Sequence, residues 1–93
     1  SHFSYTDRKV VYEAALAKWG QKMQATVAIE EMSEVIKEVT KAMRGELCRE
    51  HLAEEIADAT IMLEQLRQMF NINDSVESWM DYKISALQRK VNK

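Results

Sequence analysis

Ninety-three residues with a formal net charge of −2, basic and acidic side chains interspersed, make one small domain and leave no electrostatic footprint for a nucleic acid polymer or an anionic membrane. No apolar run is long enough to span a bilayer, and the single cysteine, Cys48, excludes a disulfide or zinc framework and fits a cytoplasmic protein. With no proline, two glycines and 46% hydrophobic residues the chain reads as all-α, and at this length it buries only about 60 to 65% of its unfolded surface, so oligomerisation is the expected further support.

Ser1-His2, followed by no charged-then-apolar leader, reads as the scar of a cleaved tag. Ser4-Tyr5-Thr6-Asp7 has capping-box spacing, and Val10, Val11, Ala14, Leu16 and Ala17 then recur at helical intervals, which predicts a helix over about 6–19 closed by Gly20. A second helix is expected over about 22–43, ending before Gly45. Its apolar stripe runs through Ala25, Ile29, Met32, Ile36, Val39 and Met43, with Glu31, Glu34 and Glu38 pointing away as an ordinary solvated face would. Met23 and Val27, however, lie on the carboxylate side, the pattern of a helix held between its own core and a partner subunit.

The third segment, about 48–70, carries its stripe through Leu52, Ile56, Ala59, Leu63, Leu66 and Phe70, and closes on Asn71, a residue tolerant of left-handed backbone. Glu55 falls roughly 45° from the centre of that stripe and Asp58 on its margin, which breaks the binary pattern. A carboxylate so placed needs a cation, a hydrogen-bond network or a proton. Asn73 or Asp74, with Glu77 completing a capping box, opens a fourth helix over about 75–91 through Val76, Met80, Ile84, Leu87 and Val91. Short turns between four helices imply an up-and-down four-helix bundle in one domain, 1–93.

The chemistry concentrates in Glu30-Glu31-Met32-Ser33-Glu34 and Glu54-Glu55-Ile56-Ala57-Asp58. Acidic pairs three apart share a helix face, and in a chain with 30% charged residues that face is commonly just solvated. Height argues otherwise: in an antiparallel hairpin turning at Gly45, Glu34 and Glu55 both sit roughly 15 Å from the loop. Oxygen donors without histidine favour Mg²⁺, with Mn²⁺ possible, over zinc or iron, and a di-iron bundle fails for want of its Glu-x-x-His pairs.

On this paired motif, Glu30-Glu31-x-x-Glu34 and Glu55-x-x-Asp58 with twenty residues between, the chain resembles the MazG-like all-α nucleoside triphosphate pyrophosphohydrolases. Trp19-Gly20 with Gln24, the stretch from Lys41 to Gly45, and Tyr82-Lys83 are similar to the short single-domain branch found in phages and mobile elements. The resemblance implies a four-helix bundle-like protomer that oligomerises through its helices as a homodimer or homotetramer. It also implies that Glu31, Glu34, Glu55 and Asp58 bind Mg²⁺, and that a nucleoside triphosphate is cleaved to monophosphate and pyrophosphate, as in housecleaning of the nucleotide pool.

Glu34 and Glu30 are the candidates to accept the proton of the attacking water, Glu30 reading equally as the cap of a local network. Lys37, Lys41 and Arg44 continue the acidic face and are placed to hold phosphate oxygens, although Glu34 with Lys37 or Lys41 is equally a surface ion pair. Lys83 matches a basic position on the family's last helix, but Ala86 or Leu87 stands where the family often carries a second one, which leaves Arg89 or another subunit to replace it. Trp19 and Gln24 are candidates for base recognition by stacking and by an amide edge, against the plainer reading of Trp19 as core or interface. His51 is either a donor behind the ligands or simply exposed, and Met32, Met43, Met62 and Met69 read as bundle or dimer core. The reading from a different class is a non-catalytic helical oligomerisation module, in which the carboxylates pair with Lys and Arg.

Overall fold

The computed structural model describes residues 2–93; Ser1, part of the tag-scar reading, lies outside the described residues. Three helices follow one another, α1 (Tyr5–Met43), α2 (Arg49–Met69) and α3 (Asn73–Val91), with no strand among the described residues. The expected first and second helices are the two arms of α1, joined without a loop at Gly20, whose φ of 83° and ψ of 163° break the helix. That backbone region is open essentially to glycine alone, so the kink is written into the sequence.

Local chemistry explains the other ends. Ser4 Oγ accepts from the Asp7 amide while the Asp7 carboxylate accepts from the Ser4 amide, the reciprocal box expected there. At the end of α1, left-handed Gly45 lets its own amide donate to Ala42 and the Glu46 amide donate to Lys41, a Schellman closure. Asn71, with φ of 55°, repeats the arrangement at the end of α2, where the amides of Asn71 and Ile72 donate to Gln68 and Arg67. The expected cap on α3 does not form. Ile72 occupies the N-cap with no side-chain hydrogen bond, and Glu77 instead meets Arg67 of α2 at 2.9 Å.

α1 and α2 pack as an antiparallel hairpin, whereas α3 touches α2 only lightly. The hairpin seam follows a three-four spacing, through Gln24, Ala28, Glu31, Val35 and Glu38 on α1 and Leu52, Glu55, Ala59, Met62 and Leu66 on α2, all of them buried or half-buried. Small Ala28 and Ala59 allow the two axes to come close. This corrects the expected core of α1. Ile29 and Ile36 are both 66% exposed and Met43 84%, so the stripe assigned to the protomer's own core faces outward and the carboxylate face turns in. On α2 the axis of burial likewise rotates, leaving Ile56, Leu63 and Phe70 open. The sequence carries two apolar faces on this helix, and hydrophobicity alone does not say which one a neighbour in the same chain will cover.

The protomer is therefore open. Its radius of gyration is 15.8 Å, against about 12 Å for a compact chain of this length. Its accessible surface is 7502 Å², where about 5,500 Å² is typical for this mass. No residue of α3 is buried, and Trp79, Met80, Ile84, Leu87 and Val91 are all exposed.

Candidate metal centre

The seam brings carboxylates from both helices to one height. Carboxylate oxygens of Glu31, Glu55 and Asp58 lie within 4.8 Å of one another, a spacing that a single cation could bridge. Antiparallel packing makes the match possible, because the Gly45 turn sets α1 and α2 in register and each acidic pair sits a similar number of residues from it. Glu34 falls outside that group of three, yet it is the strongest like charge acting on Glu55.

The electrostatics are those of a site short of positive charge. Glu31 is pushed above its ordinary value first by desolvation, then by the charges of Asp58 and Glu55 and by a hydrogen bond to Asp58. Glu55 is pushed up in the same way, by desolvation first and then by Glu34, Asp58, Glu54 and Glu38. No lysine or arginine makes an ion pair with Glu31, Glu34, Glu55 or Asp58 among the described residues. An all-oxygen donor set that repels itself fits a hard divalent cation such as Mg²⁺ or Mn²⁺.

The other expected site residues are less concentrated. Glu30 is exposed and does not figure among the charges acting on Glu31 or Glu55. Lys37 is exposed, and Arg44 pairs with Glu46 at 3.2 Å at the end of α1. Lys41 reaches Glu38 at 3.6 Å, and Glu38 is in turn one of the charges acting on Glu55. The expected surface pairing of Glu34 with Lys37 or Lys41 is thus replaced by Glu38 with Lys41. Lys83 lies on the projecting α3, its Nζ 5.7 Å from the Trp79 ring centre, and the single chain does not bring it to the carboxylates. His51 is exposed at the start of α2.

Trp19 and Gln24 do come together. They line one cleft of about 380 Å³ with Met23 and Val27 of α1 and Met62 and Gln65 of α2. Trp19 is 54% exposed at the Gly20 kink with Lys18 over its ring, so the indole is not a core residue of the protomer. Val27 is four residues from Glu31 and Met62 four from Asp58, which puts the end of the cleft one helical turn from the carboxylates.

One feature was misread in the sequence as a solvated residue and one went unread. Glu38, only 6% exposed, continues the buried acidic seam; its place in the same three-four spacing as Glu31 was the available signal. Farther along the hairpin, Glu64 accepts a hydrogen bond from the Tyr12 hydroxyl at 2.5 Å and one from Arg8 Nε at 3.0 Å. Desolvation raises the Glu64 carboxyl, but the bonds from Tyr12 and Arg8 outweigh it and hold the group below its ordinary value. Tyr12 is pushed up to about 12, by desolvation first and then by its bond to Glu64. A contact between residues 52 positions apart leaves no periodic trace in a sequence.

No known family matches the chain, and neither a curated protein nor a solved structure is significantly similar to it.

Proposed function

We propose that this chain is a Mg²⁺-dependent nucleoside triphosphate pyrophosphohydrolase of the MazG-like type, with Mn²⁺ able to substitute, that produces monophosphate and pyrophosphate. The observation that carries the reading is the convergence of Glu31, Glu55 and Asp58 from two helices to within 4.8 Å, with no cationic side chain to neutralise them. Divalent cations held there would neutralise charge on the phosphate oxygens and make the attacking water more acidic.

The chain's own residues supply the rest. Glu31, Glu34, Glu55 and Asp58 provide the oxygen ligands, and Glu34, beside Glu55 but outside the tight group, is the better placed of the two candidate bases, since Glu30 faces solvent. Water adds across the phosphoanhydride, its proton passes to that carboxylate, and pyrophosphate leaves. Lys41 steadies the phosphates from the same face, with Lys37 and Arg44 beyond it. Trp19 and Gln24 hold the base in the adjoining cleft.

The working form in this reading is a homodimer or homotetramer that completes a four-helix bundle through the apolar faces of α1 and α3. Supporting it, the chain exposes about 2,000 Å² more surface than a compact protein of its size, on the scale of an obligate interface. Assembly would also let Lys83 reach a site on a neighbouring copy.

Incubation with mixed deoxynucleoside triphosphates and Mg²⁺ is the test. Equal amounts of monophosphate and pyrophosphate are expected; no product at high protein concentration removes the enzyme. The exposed faces Ile29-Ile36-Met43 and Ile84-Leu87-Val91 favour one other reading, a non-catalytic helical oligomerisation module. Stable oligomers that neither turn over triphosphate nor gain thermal stability from Mg²⁺ would establish that reading instead.

A further inference from the structure

The geometry points to Gln65 as the residue that reads the hydrogen-bonding edge of the base, an inference that rests on the pyrophosphohydrolase reading above. Gln65 lies on α2 and lines this cleft with Trp19 and Gln24, and it also borders two smaller cavities beside Tyr12. Its Oε1 is buried and receives no hydrogen bond. Leaving a buried acceptor unpaired costs free energy, which a turn of the side chain toward a ligand donor in the cleft would restore. Turning the terminal amide about its last bond exchanges oxygen and nitrogen, so the same group can offer an acceptor or a donor to the cleft.

The occupant follows from the shape and chemistry of the cleft. One end has a flat, half-open indole, the floor is Met62 at 7% exposure, and amides approach from both helices. The other end opens one helical turn from a cluster of carboxylates. A ligand that suits both ends carries a planar, hydrogen-bonding ring joined through a short sugar-sized spacer to a cation-binding polyphosphate. A purely apolar occupant would leave the Gln65 amide without a partner. Gln65 is thus a specificity residue for the base and takes no part in phosphoanhydride cleavage.

Gln65→Met tests this, since methionine has similar length and flexibility but no amide. The variant is expected to melt at or above the wild-type temperature, because the unpaired acceptor is gone. Its kcat/KM on the preferred triphosphate should fall by about tenfold through KM, and its discrimination among the four bases should narrow by a similar factor. Hydrolysis of an abasic deoxyribose triphosphate should not change. A readout independent of catalysis comes from the Gln65 side-chain amide resonance, assigned by its loss in the variant, which should shift when product monophosphate is added to wild-type protein without metal. Unchanged base discrimination in Gln65→Met, or an amide resonance indifferent to monophosphate, overturns the inference while leaving the hydrolase intact. Wild-type protein that releases pyrophosphate from no triphosphate removes the hydrolase reading, and the base assignment with it.

Discussion

The hairpin of α1 and α2 holds carboxylates at two heights, and the chain treats them in opposite ways. Toward the open end, Glu64 is given a buried tyrosine hydroxyl and an arginine, and is held ionised below its ordinary value. Toward the Gly45 turn, Glu31 and Glu55 are given only one another, Asp58 and Glu34, and are pushed above theirs. Glu31, Glu55 and Glu64 are all half-buried, Glu64 the most deeply, so the carboxylate with the greater desolvation is nonetheless the one held ionised. A carboxylate supplied with donors by its own chain is fastening helices together. One denied them costs stability until something from outside arrives.

The largest effect that could break this contrast is on turnover. Glu55→Gln is expected to lower pyrophosphate release by more than about a hundredfold, to abolish thermal stabilisation by Mg²⁺, and to leave the metal-free protein as stable as before or more so. A variant with a normal melting response to Mg²⁺ would take Glu55 out of the cation site. Tyr12→Phe, acting at the other end, is expected to destabilise the protein by about 1.5–3 kcal/mol, read by chemical denaturation, because it removes a donor from a charged and partly buried acceptor. Its response to Mg²⁺ should match that of wild type. If it does not, the two ends are not independent.

Gly20 joins the Tyr12 arm to the acidic arm, and its substitution sharpens the comparison further. A Cβ there would meet nothing within 4 Å, so Gly20→Ala isolates backbone strain, expected to cost about 1–3 kcal/mol in denaturant unfolding. A loss limited to hydrogen-exchange protection of the first arm, with the Glu31 to Glu55 seam still protected, would show that the kink serves the Glu64 end alone.

The smallest effect is in pH dependence, where the two ends should pull in opposite directions. Glu64, lowered in the folded state, contributes stability that is present above its unfolded value near 4.5 and lost as pH falls through the folded value. Glu31 and Glu55, raised in the folded state, are at their most favourable below 4.5, and the metal-free protein loses stability as pH climbs from there through their raised values. Melting curves of metal-free protein should therefore show Glu31→Gln/Glu55→Gln gaining stability near neutrality, and Glu64→Gln losing its acid-side slope. Saturating Mg²⁺ should cancel the neutral-pH penalty of the wild type. A wild-type curve that the Glu31→Gln/Glu55→Gln pair leaves unchanged would mean that these carboxylates face bulk water after all.

Much of this was legible in the residues. The capping box at Ser4, the turns at Gly45 and Asn71, and the shared height of the two acidic pairs are local or nearly local facts, set by backbone preferences and by helical rise. The Glu55 misfit was also visible, because a charge near an apolar stripe violates a pattern that needs no partner to be seen. Glu38 was passed over for the converse reason. Measured against the stronger Ile29-Ile36-Met43 stripe it lay on the wet side, and that stripe is the one the chain leaves open.

By itself, then, the sequence determined that the chain is helical, that it breaks at Gly20 and turns at Gly45 and Asn71, and that Glu31 lies at the same level as Glu55 and Asp58. Those outcomes depend on φ/ψ preference, capping and rise per residue, which act within a few positions of each residue. Only the tertiary structure decided which side of α1 packs against α2, that Glu31, Glu38 and Glu55 share that side with Ala28 and Ala59, and that Glu64 finds Tyr12 and Arg8 across the hairpin. A helix with apolar residues on two sides can satisfy either one within its own chain. The rotation is settled by the close fit of small side chains and by distant hydrogen bonds, neither of which a one-dimensional pattern records.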